Sequence, residues 1–114
     1  MEANTDTAQL DRMFQALADG QRRAMVDRLS RGPASVKELA YPTSMALPSA
    51  LKHLAVLESA GLVLSEKVGR VRTFRIQSAA LADIENWVTT RKLNLNSAFD
   101  RLDAAMAAFP EEQS

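Results

Sequence analysis

Residues 34–76, ASVKELAYPTSMALPSALKHLAVLESAGLVLSEKVGRVRTFRI, carry helix caps, prolines and glycines in an order that leaves few folds open. Ser35 and Glu38 form an S-x-x-E capping box, which fixes the start of a short helix running through Ala40. Pro42 ends that helix, because the residue before a proline, Tyr41, is pushed out of the helical region. Tyr41 to Met45 is then a turn. A second helix begins near Ala46 to Pro48, where a proline is accepted because its missing N–H has no partner in a first turn. Leu47, Ala50, Leu51, Leu54 and Leu57 line one side of it, and Ser49, Lys52, His53 and Val56 turn the other way. Gly61 supplies a left-handed stop. Residues 62–67 and 71–76 are rich in β-branched and apolar side chains. Gly69-Arg70 between them suits a two-residue hairpin with glycine first.

A helix-turn-helix over 35–60 followed by a β-hairpin over 62–76 is the layout of a winged helix, which places its second helix in the major groove of DNA. The expected fold is mainly α with a small two-stranded wing and five helices. At 114 residues, the chain is expected to be one domain over 1–114. The helix over 6–18 carries Leu10, Met13, Phe14 and Leu17 on one stripe. Asp19 can cap the next helix, about 20–31, which turns Ala24, Met25 and Leu29 inward and offers Arg23/Asp27 and Asp27/Arg31 pairs. Gly32-Pro33 stops it. Residues 78–109 read as one long helix with Leu81, Ile84, Val88, Leu95, Ala98, Leu102, Ala105 and Phe109 in steps of three and four, and with Arg91 breaking the register. Pro110 ends it. About 30 residues give a helix of ~45 Å, longer than a domain this small buries alone. A second copy of the chain is its natural cover. The first and last helices are therefore expected to dimerise through Leu10, Phe14, Leu17, Ile84, Trp87, Leu95, Phe99 and Leu102. Trp87 and Phe99 have a second reading, as the lining of an effector pocket.

The formal net charge is zero, but its distribution is not even. Between Gly20 and Ile76 there are ten Lys/Arg against four Asp/Glu, a surplus of six, and the flanks carry the matching deficit. A basic middle between acidic ends is an electrostatic footprint for nucleic acid. The chain has no cysteine, which excludes disulfides, thiolate metal sites and thiol switches. No run of about 18 apolar residues is present to cross a membrane. The polar start MEANTDTAQLD is no secretory signal, so the cytoplasm is the expected compartment.

ALADGQRRAMVDRL (16–29), VKELA (36–40), LPSALKHLAVLESAGLV (47–63) and GRVRTFRI (69–76) together resemble the ArsR-type family of bacterial winged-helix transcriptional repressors. The C-terminal part resembles a metal-independent branch. The resemblance implies a homodimer with a recognition helix at about 46–60 in the major groove and a wing at about 66–72 near the backbone or minor groove. The family pattern often has Ser or Thr where this chain has Ala46 and Leu51, the first as a helix cap and the second facing DNA.

Metal sensing within that family uses either cysteines before the turn or Asp, His and Glu in C-terminal helices. Here the segment before the turn is VKELAYPTS, and the only histidine is His53. One histidine and no cysteine do not supply the three or four ligands of a Zn²⁺ site, so no metal or cofactor is expected. No nucleophile–base pair, phosphate loop or carboxylate constellation points to an enzyme. The expected DNA-contacting residues are Ser44, Pro48, Ser49, Lys52, His53, Lys67, Arg70 and Arg72. His53 has a second reading as a helix residue packed against the wing, and Arg22 and Arg23 read as structural, capping or bridging to acids. The expected function is a sequence-specific DNA-binding regulator, a repressor acting on a two-fold symmetric operator, with a small organic effector as a possible further partner. The alternative is a winged-helix module that binds protein and has lost DNA binding.

Overall fold

The computed structural model describes the backbone of residues 2–108 and side chains from residue 7. In chain order the elements are α1 (Glu2–Leu17), α2 (Gly20–Leu29), β1 (Ala34–Ser35), α3 (Val36–Ala40), a 3-10 turn (Tyr41–Thr43), α4 (Leu47–Ser59), β2 (Val63–Val68), β3 (Val71–Ile76) and α5 (Ser78–Ala108). α1 starts four residues earlier than its apolar stripe indicates, because the first residues are polar and carry no period. The expected end of the last helix at Phe109 and Pro110 lies outside the described residues.

Two units divide between Leu81 and Ala82. The first holds the core. Met13 and Ala16 of α1, Met25 and Leu29 of α2, Leu39 of α3, and Ala50, Leu54 and Leu57 of α4 are buried with Leu62, Val63 and Phe74. Ala24 departs from expectation and is exposed. Met25 and Leu29, four apart, define the inward line of α2, and Ala24 is turned about 100° from Met25. Leu47 and Leu51 depart in the same way, at 41% and 48% exposed. The buried set at 50, 54 and 57 fixes the inward direction of α4, and Leu51 is one residue, about 100°, past Ala50.

Polar side chains lock the helix ends. Asp19 caps α2 by accepting from the N–H groups of Gln21 and Arg22. Arg22 Nε donates to Ala16 O at 2.7 Å, and Arg23 donates to Leu17 O at 2.7 Å. Two guanidinium groups thus sit on the orphan carbonyls of α1, where positive charge also suits the helix dipole. Arg23 is therefore not paired with Asp27, which instead meets Arg31 at 3.0 Å. Gly61 has φ of +80°, and Gln9 Nε2 donates to Ala60 O beside it at 2.6 Å, tying α1 to the end of α4.

The capping box forms as the sequence indicates. Pro42 acts differently from expectation. Tyr41 keeps helical dihedrals, φ −56° and ψ −50°, and Pro42 occupies the start of the 3-10 turn. The chain tightens rather than extends, because Ser44 N–H donates to Tyr41 O and Met45 N–H donates to Ala40 O, each at 3.2 Å. Ser44 then reverses the chain in the left-handed region at φ 55°.

The wing has three strands, not two, in the order β1-β3-β2, all antiparallel. β1 pairs Ala34 with Phe74 and Ser35 with Thr73. A strand of two residues has no period to read, and Ser35 also serves as the cap of α3. β2 and β3 pair from Val63↔Ile76 to Val68↔Val71, closed by Gly69-Arg70 with Gly69 at φ 64°. The positive φ falls on glycine alone, as a glycine-first two-residue turn requires.

The second unit is the rest of α5, a helix of 31 residues in all. Arg91 lies 4.3 Å from the Trp87 ring centroid, a cation–π contact one turn along the helix. Leu93, Leu95, Phe99 and Leu102 are each more than half exposed.

Candidate nucleic-acid interface

Three side-chain contacts define the sides of α4. On one side, Arg22 Nη1 lies 3.2 Å from His53 Nδ1 and Gln21 Oε1 lies 3.0 Å from His53 Nε2. A guanidinium only donates, so Nδ1 accepts and Nε2 carries the hydrogen toward Gln21. Val56, on the same side, lines a cavity of about 460 Å³ with Arg12, Gln15, Ala16 and Arg22. This side faces α1 and α2. Ser49, four residues before His53 and seven before Val56, begins that row.

On the other side, Ser65 Oγ donates to Glu58 Oε2 at 2.7 Å, and Arg72 Nη1 donates to Ser65 Oγ at 2.9 Å. This chain of bonds fastens the wing to α4. Leu51, seven residues before Glu58, lies on the wing side. Between the two sides, opposite the buried Ala50, Leu54 and Leu57, project Pro48 and Lys52, both exposed.

The expected residues thus fall into three places. Pro48 and Lys52 stand on the open face, with Ser44 at the exposed corner before α4. Lys67 and Arg72 are cross-strand neighbours on the wing, and Arg70 is at its tip between the exposed Val68 and Val71. Ser49 and His53 lie toward α2, and His53 has both ring nitrogens engaged there rather than a contact with the wing. Ala46 begins α4 with extended dihedrals and no side-chain cap. Among the described residues, Lys52, Lys67 and Arg70 make no hydrogen bond or ion pair, so three cations remain available to a ligand.

Three carboxylates of this region are committed to structure, and Glu66 is exposed on β2. Hydrogen bonds from the backbone N–H of Arg22 and then Gln21, with the nearby Arg22 side chain, hold the Asp19 carboxyl below the usual range. The backbone N–H and side chain of Ser35 do the same for Glu38. Glu58 is occupied by Ser65. Sequence reasoning gave Arg22 a structural part but missed that it links α1 to α4 through His53. Nothing local in GQRRAM signals a partner 31 residues away.

A helix-turn-helix domain family matches residues 17–66. The HTH-type transcriptional regulator Rv2034 of Mycobacterium tuberculosis is 44% identical over 72 residues, which cover 63% of this chain and 67% of that protein. The crystal structure of an ArsR family transcriptional regulator matches with a TM-score of 0.74 and 47% identity over 80% of this chain and 94% of that one. The homodimeric winged helix-turn-helix DNA-binding domain of Mb0332 from Mycobacterium bovis, a possible ArsR-family regulator, gives 0.63 and 31% over 75% and 82% of the two chains. The similarity runs through the segments that build α2, α3, α4 and the first long wing strand, so the chain belongs to the ArsR family of winged helix-turn-helix transcriptional regulators.

Proposed function

We propose that this regulator binds double-stranded DNA as a homodimer and represses transcription at a two-fold symmetric operator. The observation that carries the reading is the free cation set. Lys52 projects from the open face of α4, opposite the core, while Lys67 and Arg70 sit on a wing tied to the same helix through Glu58, Ser65 and Arg72. A helix placed in the major groove with a wing on the flanking backbone uses that arrangement. Ser44, Pro48, Ser49 and Lys52 form the helix contact set, and Lys67, Arg70 and Arg72 the wing set. His53 acts as a positioning residue, since its ring nitrogens are held by Arg22 and Gln21.

Dimerisation through α1 and α5 is supported by apolar exposure within each helix. Phe14 is 38% exposed on α1, with Leu10 and Leu17 half-buried beside it. On α5, Ile84 is half-buried, Trp87 is 38% exposed, and Leu95, Phe99 and Leu102 are each more than half exposed. Large apolar side chains exposed along one helix in this way mark an interface. The Mycobacterium bovis relative is homodimeric, which favours the same assembly. Among the described residues no helix is long and apolar enough to cross a membrane, and we place the protein in the cytoplasm. For a small organic effector, the cavity between α1 and α4 offers two arginines over an apolar floor that includes Ala16 and Ala60. The reading as a protein-interaction module draws on a different observation, the exposure of Tyr41, Leu47 and Leu51.

A gel shift with DNA from upstream of the protein's own coding sequence tests the proposal, with light scattering at micromolar concentration alongside. A saturable shift at a discrete site and a dimeric mass are expected. No shift above random DNA, or a monomeric mass with an intact circular-dichroism spectrum, contradicts it.

A further inference from the structure

The wing-side edge of α4, next to the open face that carries Lys52, presents two leucines where a groove-reading helix ordinarily presents polar groups. Leu47 and Leu51, four residues apart, form a short ridge at the start of the helix, 41% and 48% exposed. Leu51 lies on the same side as Glu58, which holds the wing, so the ridge faces the space between helix and wing. Leu47 continues it into a shallow depression of about 500 Å³ lined by Lys37, Tyr41, Ser44 and Met45.

What surrounds the ridge decides its occupant. Lys37, Lys52, Lys67, Arg70 and Arg72 lie on the elements around it. Of the acids on those elements, Glu38 is committed to the Ser35 cap and Glu58 to Ser65, and Glu66 is exposed on β2 beside Lys67, so cations outnumber acids around the ridge. A ridge two side chains wide between cations matches a groove floor between two phosphate rails rather than a broad apolar partner. On that floor the C5-methyl of thymine is the apolar group a leucine can cover. Over a G·C pair the same leucine would strip water from O6, N7 or N4 without replacing a hydrogen bond, which is costly. Resting on the DNA-binding reading above, we propose that Leu51 and Leu47 are specificity-determining residues, and that they read thymine methyl groups in the major groove. The half-site then carries A·T pairs beneath the start of α4, selected by apolar contact instead of a hydrogen-bond code.

The test begins with selection of binding sites from a random-sequence duplex library by the full-length protein. Each thymine of the selected site is then replaced singly by deoxyuridine, which removes the methyl and nothing else. For the native protein, at least one thymine per half-site is expected to lose about fourfold in affinity, the equivalent of ~0.8 kcal/mol for one buried methyl. Leu51→Ala, or Leu47→Ala at its own position, abolishes that difference. Leu51→Gln, which keeps length but presents an amide suited to adenine, is likewise indifferent to the methyl. Both Leu51 variants alter an exposed position, and circular dichroism confirms that they fold. If a discrete site is selected but no deoxyuridine replacement weakens it, or the variants keep the native pattern, the leucine proposal is overturned while DNA binding stands. If the library yields no enriched sequence, sequence-specific DNA binding itself is overturned, and with it the leucine proposal. Capture of a protein on the same ridge, abolished by Leu51→Gln, would then mark it as a protein-docking surface.

Discussion

Replacing Arg22 by methionine isolates the contact that joins three helices. The substitution keeps most of the side-chain stem and so most of its packing. It removes the donor to Ala16 O at 2.7 Å, the donor to His53 Nδ1 at 3.2 Å and a weaker contact to Gln15 O at 3.4 Å. The first is short and charge-assisted, on a helix C-terminus that favours a cation, and contributes about 1.5 kcal/mol. The second contributes about 1 kcal/mol and the third almost nothing. Arg22→Met is therefore expected to destabilise the fold by roughly 2–3 kcal/mol, read from urea unfolding followed by circular dichroism. His53→Gln should share part of that loss. In a double-mutant cycle the two should couple by about 1 kcal/mol, because each removes the same α2–α4 bond. A loss below roughly 0.5 kcal/mol for Arg22→Met, within the range of ordinary surface changes, would refute the linking role. So would strict additivity of the pair.

Acid should weaken the fold through its caps. The Asp19 and Glu38 carboxyls are held below the ordinary range, so their stabilising contribution is complete above about pH 4.5 and is lost as pH falls through their folded values. Asp19→Asn with Glu38→Gln should flatten the acid limb of a stability–pH curve, and an unchanged limb would show that the caps do not drive it. Gly61→Ala should cost about 1–2 kcal/mol from the positive φ alone. A Cβ there would also lie 2.6 Å from Gln9 Nε2, so Gln9→Ala should recover only the steric part in thermal melts, and full recovery would contradict the backbone cause. Zn²⁺, Ni²⁺, Cd²⁺ or arsenite should leave DNA affinity unchanged in a chain with no cysteine and one histidine already engaged on both nitrogens. Stoichiometric metal in the untagged protein with weaker DNA binding when loaded would overturn that expectation.

The sequence carries most of the local structure because its signals are local. The Ser35–Glu38 box, the stops at Gly32 and Gly61 and the Gly69-Arg70 hairpin each follow from residues within four positions of one another. What escapes it depends on distant contacts. β1 is a strand only because Phe74 and Thr73 lie opposite it. The inward face of α4 is narrower than its sequence suggests, since apolar residues at 47, 50, 51, 54 and 57 fit one stripe while the core has room for three of them. The remaining two, Leu47 and Leu51, are left exposed along the wing-side edge. Tyr41 keeps helical dihedrals against the local preference before proline because Ser44 and Met45 donate back across the turn. His53 reads as DNA-facing in sequence because neither Arg22 nor Gln21 is near it along the chain.

The most direct measurement compares Lys52→Ala with Arg70→Ala on the cognate site and on random DNA across a salt titration. Lys52→Ala should weaken the cognate site more than random DNA, by ~1–3 kcal/mol where Lys52 reads a base edge. Arg70→Ala should weaken both about equally and reduce the magnitude of the salt slope by about 1 for each phosphate that Arg70 neutralises, counted per subunit. Affinity and slope untouched by Arg70→Ala, in a protein that still folds, would mean that the wing does not touch DNA. If Lys52→Ala were also silent, α4 and the wing would not form a DNA-binding surface.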